Sequence, residues 1–270
     1  MSNFKIKRVG SRIVNLDKVQ PQTTPVINNQ INKKDASEEL FKPFKNSRER
    51  KIVKKWEKIT GKDDVIISFV SDPIGSNFYS EKFTELVNKV DSLGYDYIFC
   101  HYESDRNYFQ NCCYKPYFIQ SMLNSTKKNV LWIDGDTFLK TNLSQLTDKN
   151  KSFDLGLVSY SNSMDCFVAS PVYFSNTEVT NLIVNQWESH CTGRVERGEC
   201  ELDHDALKHS ILPYYRDRVR INLCGSNLHK GENLENVNSD VPNKREILLK
   251  MRAVNMNRPF PGNVTNYNLV

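Results

Sequence analysis

The chain has 270 residues, of which 39% are hydrophobic, with 14 Phe and 12 Tyr. That is enough apolar mass for one sizeable core, and it excludes a disordered polypeptide. No apolar run is long enough to cross a bilayer as a helix, and no signal-peptide apolar core opens the sequence. Seven cysteines, an odd number that includes adjacent Cys112-Cys113, show no Cys-x-x-Cys spacing. They fit buried reduced thiols better than a disulfide framework or a zinc site, so a cytoplasmic protein is expected. Asn124, Asn142 and Asn263 each begin an Asn-x-Ser/Thr triplet, which has no meaning without secretion. The net charge of +5 is unevenly placed: residues 1–62 hold 16 Lys/Arg against 6 Asp/Glu, which leaves the rest of the chain net acidic.

Residues 1–40 are polar, with Pro21 and Pro25 and no sustained period. They read as an extension, and the expected organisation is a basic, loosely docked arm over 1–60 followed by one domain over 61–270. Residues 46–58 are strongly basic, and a helix around Ile52, Val53 and Trp56 is expected there. The arm either packs Trp56 on the domain or meets an anionic surface at a membrane face. It lacks the interleaved aromatics of a single-strand binder, so no nucleic acid is expected.

Beyond Asp64 the pattern changes. Val65 to Val70 reads as a strand. Phe83, Leu86, Val87, Val90 and Leu93 recur at helical spacing and stop at Gly94. Tyr95 to Tyr102 is a second strand, and Pro116 is expected to open a helix carrying Phe118, Ile119, Met122 and Leu123. Val130 to Ile133 is an unbroken apolar run, the mark of a strand buried on both faces, and it leads directly into Asp134-Gly135-Asp136. Leu155–Tyr160 and Cys166–Phe174 are further apolar runs. Ser175 to Glu178 has the spacing of a capping box for a helix that buries Val179, Leu182, Ile183 and Trp187. A last helix is expected near Asp203, packing Leu207 and Ile211, before a loop-rich segment from Leu223. Alternating strands and helices predict an α/β fold, with a mostly parallel central sheet flanked by helices.

Ligands of such sheets bind at the carboxyl ends of the strands, which is where Asp134 and Asp136 fall. Two carboxylates this close repel each other unless a cation joins them, and hard oxygen ligands suit Mg²⁺ or Mn²⁺. Gly135, lacking a side chain, lets backbone approach a ligand. A cation held there would neutralise a departing diphosphate.

Several motifs then occur in order: Lys115-Pro116, Asp134-Gly135-Asp136, Ala169 through Thr177 ahead of Trp187, Asp203-His204-Asp205-Ala206-Leu207, and His229-Lys230-Gly231. Together, over roughly residues 63–232, they resemble a GT-A-fold glycosyltransferase, the DxD-containing nucleotide-diphosphosugar transferase family. The resemblance implies a Rossmann-like single catalytic domain that moves a sugar from a nucleoside-diphosphate sugar to a hydroxyl of a glycan, lipid-linked glycan or protein. It implies metal ligation by Asp134, Asp136 and His229. Donor contacts would come from Ser68, Phe69, Val70, Lys115, Asp134, Gly135 and His204. Asp203 would face the acceptor as the catalytic carboxylate. His204 stands where that family usually has glutamine. Arg194, Arg197, Arg216, Arg218 and Arg220 are further cations able to grip a diphosphate, and none is singled out as a site. Two rivals remain. A haloacid-dehalogenase-type phosphatase also places Asp-x-Asp after a buried strand, but against that family's Asp-x-Asp-x-Thr/Val motif Thr137 here comes one position early and Phe138 fills the slot. The other rival is an inactive transferase-like binding module.

Overall fold

The structure, a computed structural model, describes residues 6–9, 12–15, 48–72, 77–139, 143–148, 150, 152–161, 163–199, 201–225, 234–236 and 267–269. The chain divides into two compact units, Met1–Asp35 and Ala36–Val270. The first contains an antiparallel pair, β1 (Ile6–Val9) and β2 (Arg12–Asn15), with Ile6 opposite Asn15.

The second unit is built on an eight-stranded mixed sheet. Its strands are β3 (Ile52–Lys58), β4 (Asp64–Ser71), β5 (Asp96–Tyr102), β6 (Asn129–Trp132), β8 (Leu155–Ser159), β9 (Phe167–Phe174), β10 (Arg220–Cys224) and β12 (Asn268–Leu269). Across the sheet they run β12-β10-β8-β9-β6-β4-β5-β3. Pairings among β5, β4 and β6, and among β8, β10 and β12, are parallel; β9 runs antiparallel between β6 and β8, and β3 antiparallel along β5. A short outlying pair joins β7 (Thr137–Leu139) to β11 (Leu234–Asn236). Among the described residues the α-helices are α1 (Phe78–Ser92), α2 (Tyr108–Thr126), α3 (Glu178–Glu196) and α4 (Asp203–Asp205), the last continuing as a wider helical turn through Ile211.

Alternation along β4 explains its apolar run, which only buried Ser68 interrupts. Val65, Ile67 and Phe69 enter one core with Phe118 and Ile119 of α2 and Ile183 and Trp187 of α3. Ile66 and Val70 enter a second core with Phe83, Leu86 and Val90 of α1. Both faces are covered, so apolar side chains occupy both parities of the strand. The same parity sends Val130 and Trp132 of β6 to the first core and Leu131 and Ile133 to the second.

Three local expectations change. Residues 52–58 form an edge strand, not a helix. Two β-branched residues, Ile52 and Val53, suit a strand once β5 offers a free edge. Trp56 packs edge-on against Phe83 at 5.6 Å, while Lys51, Lys55 and Lys58 pair with Glu103, Glu57 and Asp91. The stretch expected to end a flexible arm is therefore part of the sheet. Helix α2 begins at Tyr108 and not at Pro116, because Asn107 and Gln110 make a reciprocal capping box at its start. Pro116 sits inside the helix and Lys115 lies mid-helix. The cap of α3 is Thr177, whose hydroxyl accepts from the Thr180 amide at 3.2 Å, while Ser175 donates to the Phe153 carbonyl.

None of the six described cysteines forms a disulfide. Among the described residues, no helix is long and apolar enough to cross a membrane.

Candidate active site

The acidic turn sits at the carboxyl end of β6. The Ile133 amide extends the ladder to the Ile67 carbonyl at 3.2 Å, and the Thr137 amide then donates to the Asp134 carbonyl at 3.1 Å. That bond closes a four-residue turn over Asp134-Gly135-Asp136-Thr137 and leaves both carboxylates at the rim of the sheet. The Asp134 amide donates to Ser170 Oγ of β9 at 2.8 Å. Its carboxylate Oδ1 accepts from Trp132 Nε1 at 2.8 Å.

Helix α2 brings Lys115 to the same place. Its ammonium lies 3.3 Å from Asp134 Oδ1 and 2.8 Å from Asp203 Oδ2, at 9% side-chain exposure, over the Trp132 ring. Burial alone would lower its pKa, but the two carboxylates outweigh burial and raise it well above the ordinary lysine value. Asp203 is buried at the first position of α4, and Leu202 is its cap residue, so Asp203 does not serve as the helix cap. Burial raises the pKa of its carboxyl, and the Lys115 ammonium only partly offsets this. Trp187 Nε1 donates to the Asp203 carbonyl at 2.8 Å, so a side chain read from sequence as core packing also anchors this residue. Just ahead of it, buried Glu201 meets His190 Nε2 at 2.6 Å and Arg194 Nε at 3.4 Å, which pins the loop that presents Asp203.

Other expected residues fall differently. Ser68 and Val70 are buried, and Phe69 stands in an aromatic cluster with Tyr102, Tyr114, Phe118 and Trp132 at 5.3–5.8 Å. Their side chains serve the cores; the end of β4 that reaches the rim is Ser71-Asp72. Asp72 accepts from the amides of Tyr79 and Ser80, capping α1, and its other oxygen is 3.3 Å from His101 Nε2. His204 packs edge-on against Phe167 at 5.0 Å with its Nδ1 buried and unpartnered, and burial lowers its pKa to about 4. Asp136 is half-buried beside Asp134. His229 lies outside the described residues, although Asn236 of β11 is opposite Thr137. Of the arginines considered, Arg194 and Arg197 pair with Glu199, Arg216 with Asp217 and Arg220 with Asp154. Sequence reading missed Arg50 and Arg106, whose enclosed guanidinium groups stack on Tyr114 near the end of β5 and share Asp105.

Gly135 has a packing role that its sequence position does not reveal. A Cβ there would lie 2.2 Å from Val70 Cγ1 and 3.2 Å from the Phe69 carbonyl oxygen. Gly135→Ala is expected to destabilise the domain by about 1–3 kcal/mol through overpacking. Urea unfolding should show the loss, and adding Val70→Ala should recover part of it. An unchanged midpoint would refute the packing role.

Among the described residues, no group of three or more His, Cys, Asp or Glu side chains is arranged to hold a metal ion. Two carboxylates are nevertheless adjacent. Asp134 is 34% exposed, and among the described residues its side-chain contacts with Lys115 and Trp132 both go to Oδ1, which leaves Oδ2 for a further ligand. The donor set thus suits a hard divalent cation that takes the rest of its shell from substrate oxygens.

No family model and no curated protein matches the chain. A solved structure, the crystal structure of a glycosyltransferase involved in the glycosylation of the major capsid of PBCV-1, superposes with a TM-score of 0.50 at 14% identity. The match covers 70% of this chain and 100% of that one. The chain thus has a glycosyltransferase-like, Rossmann-type α/β fold: one eight-stranded sheet with helices on both faces.

Proposed function

We propose that this protein is a metal-dependent glycosyltransferase that transfers a sugar from a nucleoside-diphosphate donor to a hydroxyl acceptor. The observation that carries the reading is the convergence, at the carboxyl end of β6, of the Asp134/Asp136 turn with Lys115 and buried Asp203 from two other elements. The fold likeness to a glycosyltransferase supports the same class.

In this reading Asp136 and the open Oδ2 of Asp134 hold Mn²⁺ or Mg²⁺. When bound, that cation supplies electrostatic stabilisation of the leaving diphosphate. Asp203 sits on the acceptor side, where an ionised carboxylate orients the attacking hydroxyl or takes its proton. Trp187 and Lys115 hold it in position from its carbonyl and its carboxylate. Trp132 and Ser170 fix Asp134 so that one oxygen remains directed to ligand.

A thermal-shift panel of nucleoside diphosphates and sugar nucleotides, with and without Mn²⁺, tests this. A ligand present at about 100 times its dissociation constant stabilises the folded state by roughly 2.7 kcal/mol, so a metal-dependent rise in melting temperature is expected for at least one nucleoside diphosphate. Hydrolysis of simple phosphate esters with no nucleotide-dependent shift would point to phosphatase chemistry and defeat the proposal.

A further inference from the structure

Lys115 is the only described cation within 4 Å of Asp134 or Asp203, and it touches both. Its ammonium is almost wholly enclosed, forming ion pairs at 2.8 Å and 3.3 Å with the two carboxylates and lying 5.3 Å from the Trp132 ring centre. A lysine placed to grip a diphosphate would present an exposed, uncommitted charge; this one is already spent. The two carboxylates belong to different halves of the site. Asp134 lies on the β6 turn and Asp203 on α4, and the side chain reaching both comes from the middle of α2.

We propose that Lys115 is a positioning residue, a brace that fixes Asp203 against Asp134 and directs the second oxygen of Asp134 outward, and that it is not a phosphate ligand. This rests on the transferase reading for its consequence but on geometry for its existence. Without the brace, Asp203 becomes an uncompensated buried carboxylate, and Asp134 loses the contact that holds Oδ1 inward. A donor would still find Asp136 and the turn, while the acceptor hydroxyl would lose a correctly held partner. Losing a positioned carboxylate of this kind costs roughly 100-fold or more in the rate of transfer.

The test is a double-mutant cycle with Lys115→Met, Asp203→Asn and the pair combined, read by melting temperature, nucleoside-diphosphate affinity with Mn²⁺ and steady-state kinetics. Each single variant should melt lower than wild type. The double variant removes the buried Lys115–Asp203 pair together and leaves only part-exposed Asp134 without its cation, so it should recover part of that loss. For Lys115→Met alone, nucleoside-diphosphate affinity should stay within about threefold of wild type, while kcat for transfer falls about 100-fold with little change in donor KM. Purely additive melting temperatures would overturn the brace. So would a loss of tenfold or more in nucleoside-diphosphate affinity on removing Lys115, which would put its ammonium on the phosphates. Coupled melting temperatures in a wild-type protein that binds no nucleoside diphosphate would keep the brace and sink the transferase reading, so the two failures are separable.

Discussion

Asp136→Ala should reduce metal-dependent turnover of a sugar nucleotide by on the order of 10³-fold, the effect of removing a charged ligand from a centre that offsets several kcal/mol of developing charge. The fold should survive. Asp136 is half-buried, and the bond that closes its turn runs between the Thr137 amide and the Asp134 carbonyl, neither of which is altered. Asp134→Ala should be harder to interpret, because it also removes the acceptor of Trp132 Nε1 and one partner of Lys115. Asp136→Ala leaves both of those contacts in place. Donor hydrolysis and transfer should be measured across a Mn²⁺ titration, alongside circular dichroism to confirm folding. Wild-type rates at saturating Mn²⁺ would remove Asp136 from the proposed centre.

Acidification should weaken the domain through His204. Burial lowers its pKa in the folded protein to about 4, below the ordinary value of 6.5. Between these two values the unfolded chain binds more protons than the folded one, so stability rises with pH through this window. It is fully present above about pH 6.5 and lost as pH falls toward 4. The shift corresponds to roughly 3 kcal/mol at most. His209, also lowered by burial, acts in the same direction. Comparing urea midpoints of wild type and His204→Gln between pH 7 and pH 4 isolates the His204 share. Superimposable pH profiles would show that the ring titrates normally. Because His204 follows Asp203 directly, its protonation would place a new charge beside the Lys115–Asp203 pair, and activity should fall over the same window.

Much of the fold was legible because both signals involved are local. The apolar runs at Val65–Val70 and Val130–Ile133 became β4 and β6, and Phe83, Leu86 and Val90 became the buried face of α1. Errors arose where local signals competed. Pro116 looked like a helix start, yet the Asn107–Gln110 box upstream is the stronger cap and the helix accommodates the proline. Ser175 and Thr177 are both competent caps; the Phe153 carbonyl takes the Ser175 hydroxyl and leaves Thr177 to the helix. The basic stretch at 52–58 had too few apolar residues to declare a period, and the free edge of β5 made it a strand.

The site divides in the same way. Its acidic turn after a buried strand follows from the sequence alone, because an apolar run that ends in two carboxylates can place them only at the edge of a sheet. That Lys115 joins Asp134 to Asp203, that Trp187 holds the Asp203 carbonyl, and that Gly135 makes room for Val70 were decided by the tertiary structure. Each depends on which face a strand turns toward which helix. Side chains far apart in sequence meet only after those faces have packed, so no spacing along the chain encodes the meeting.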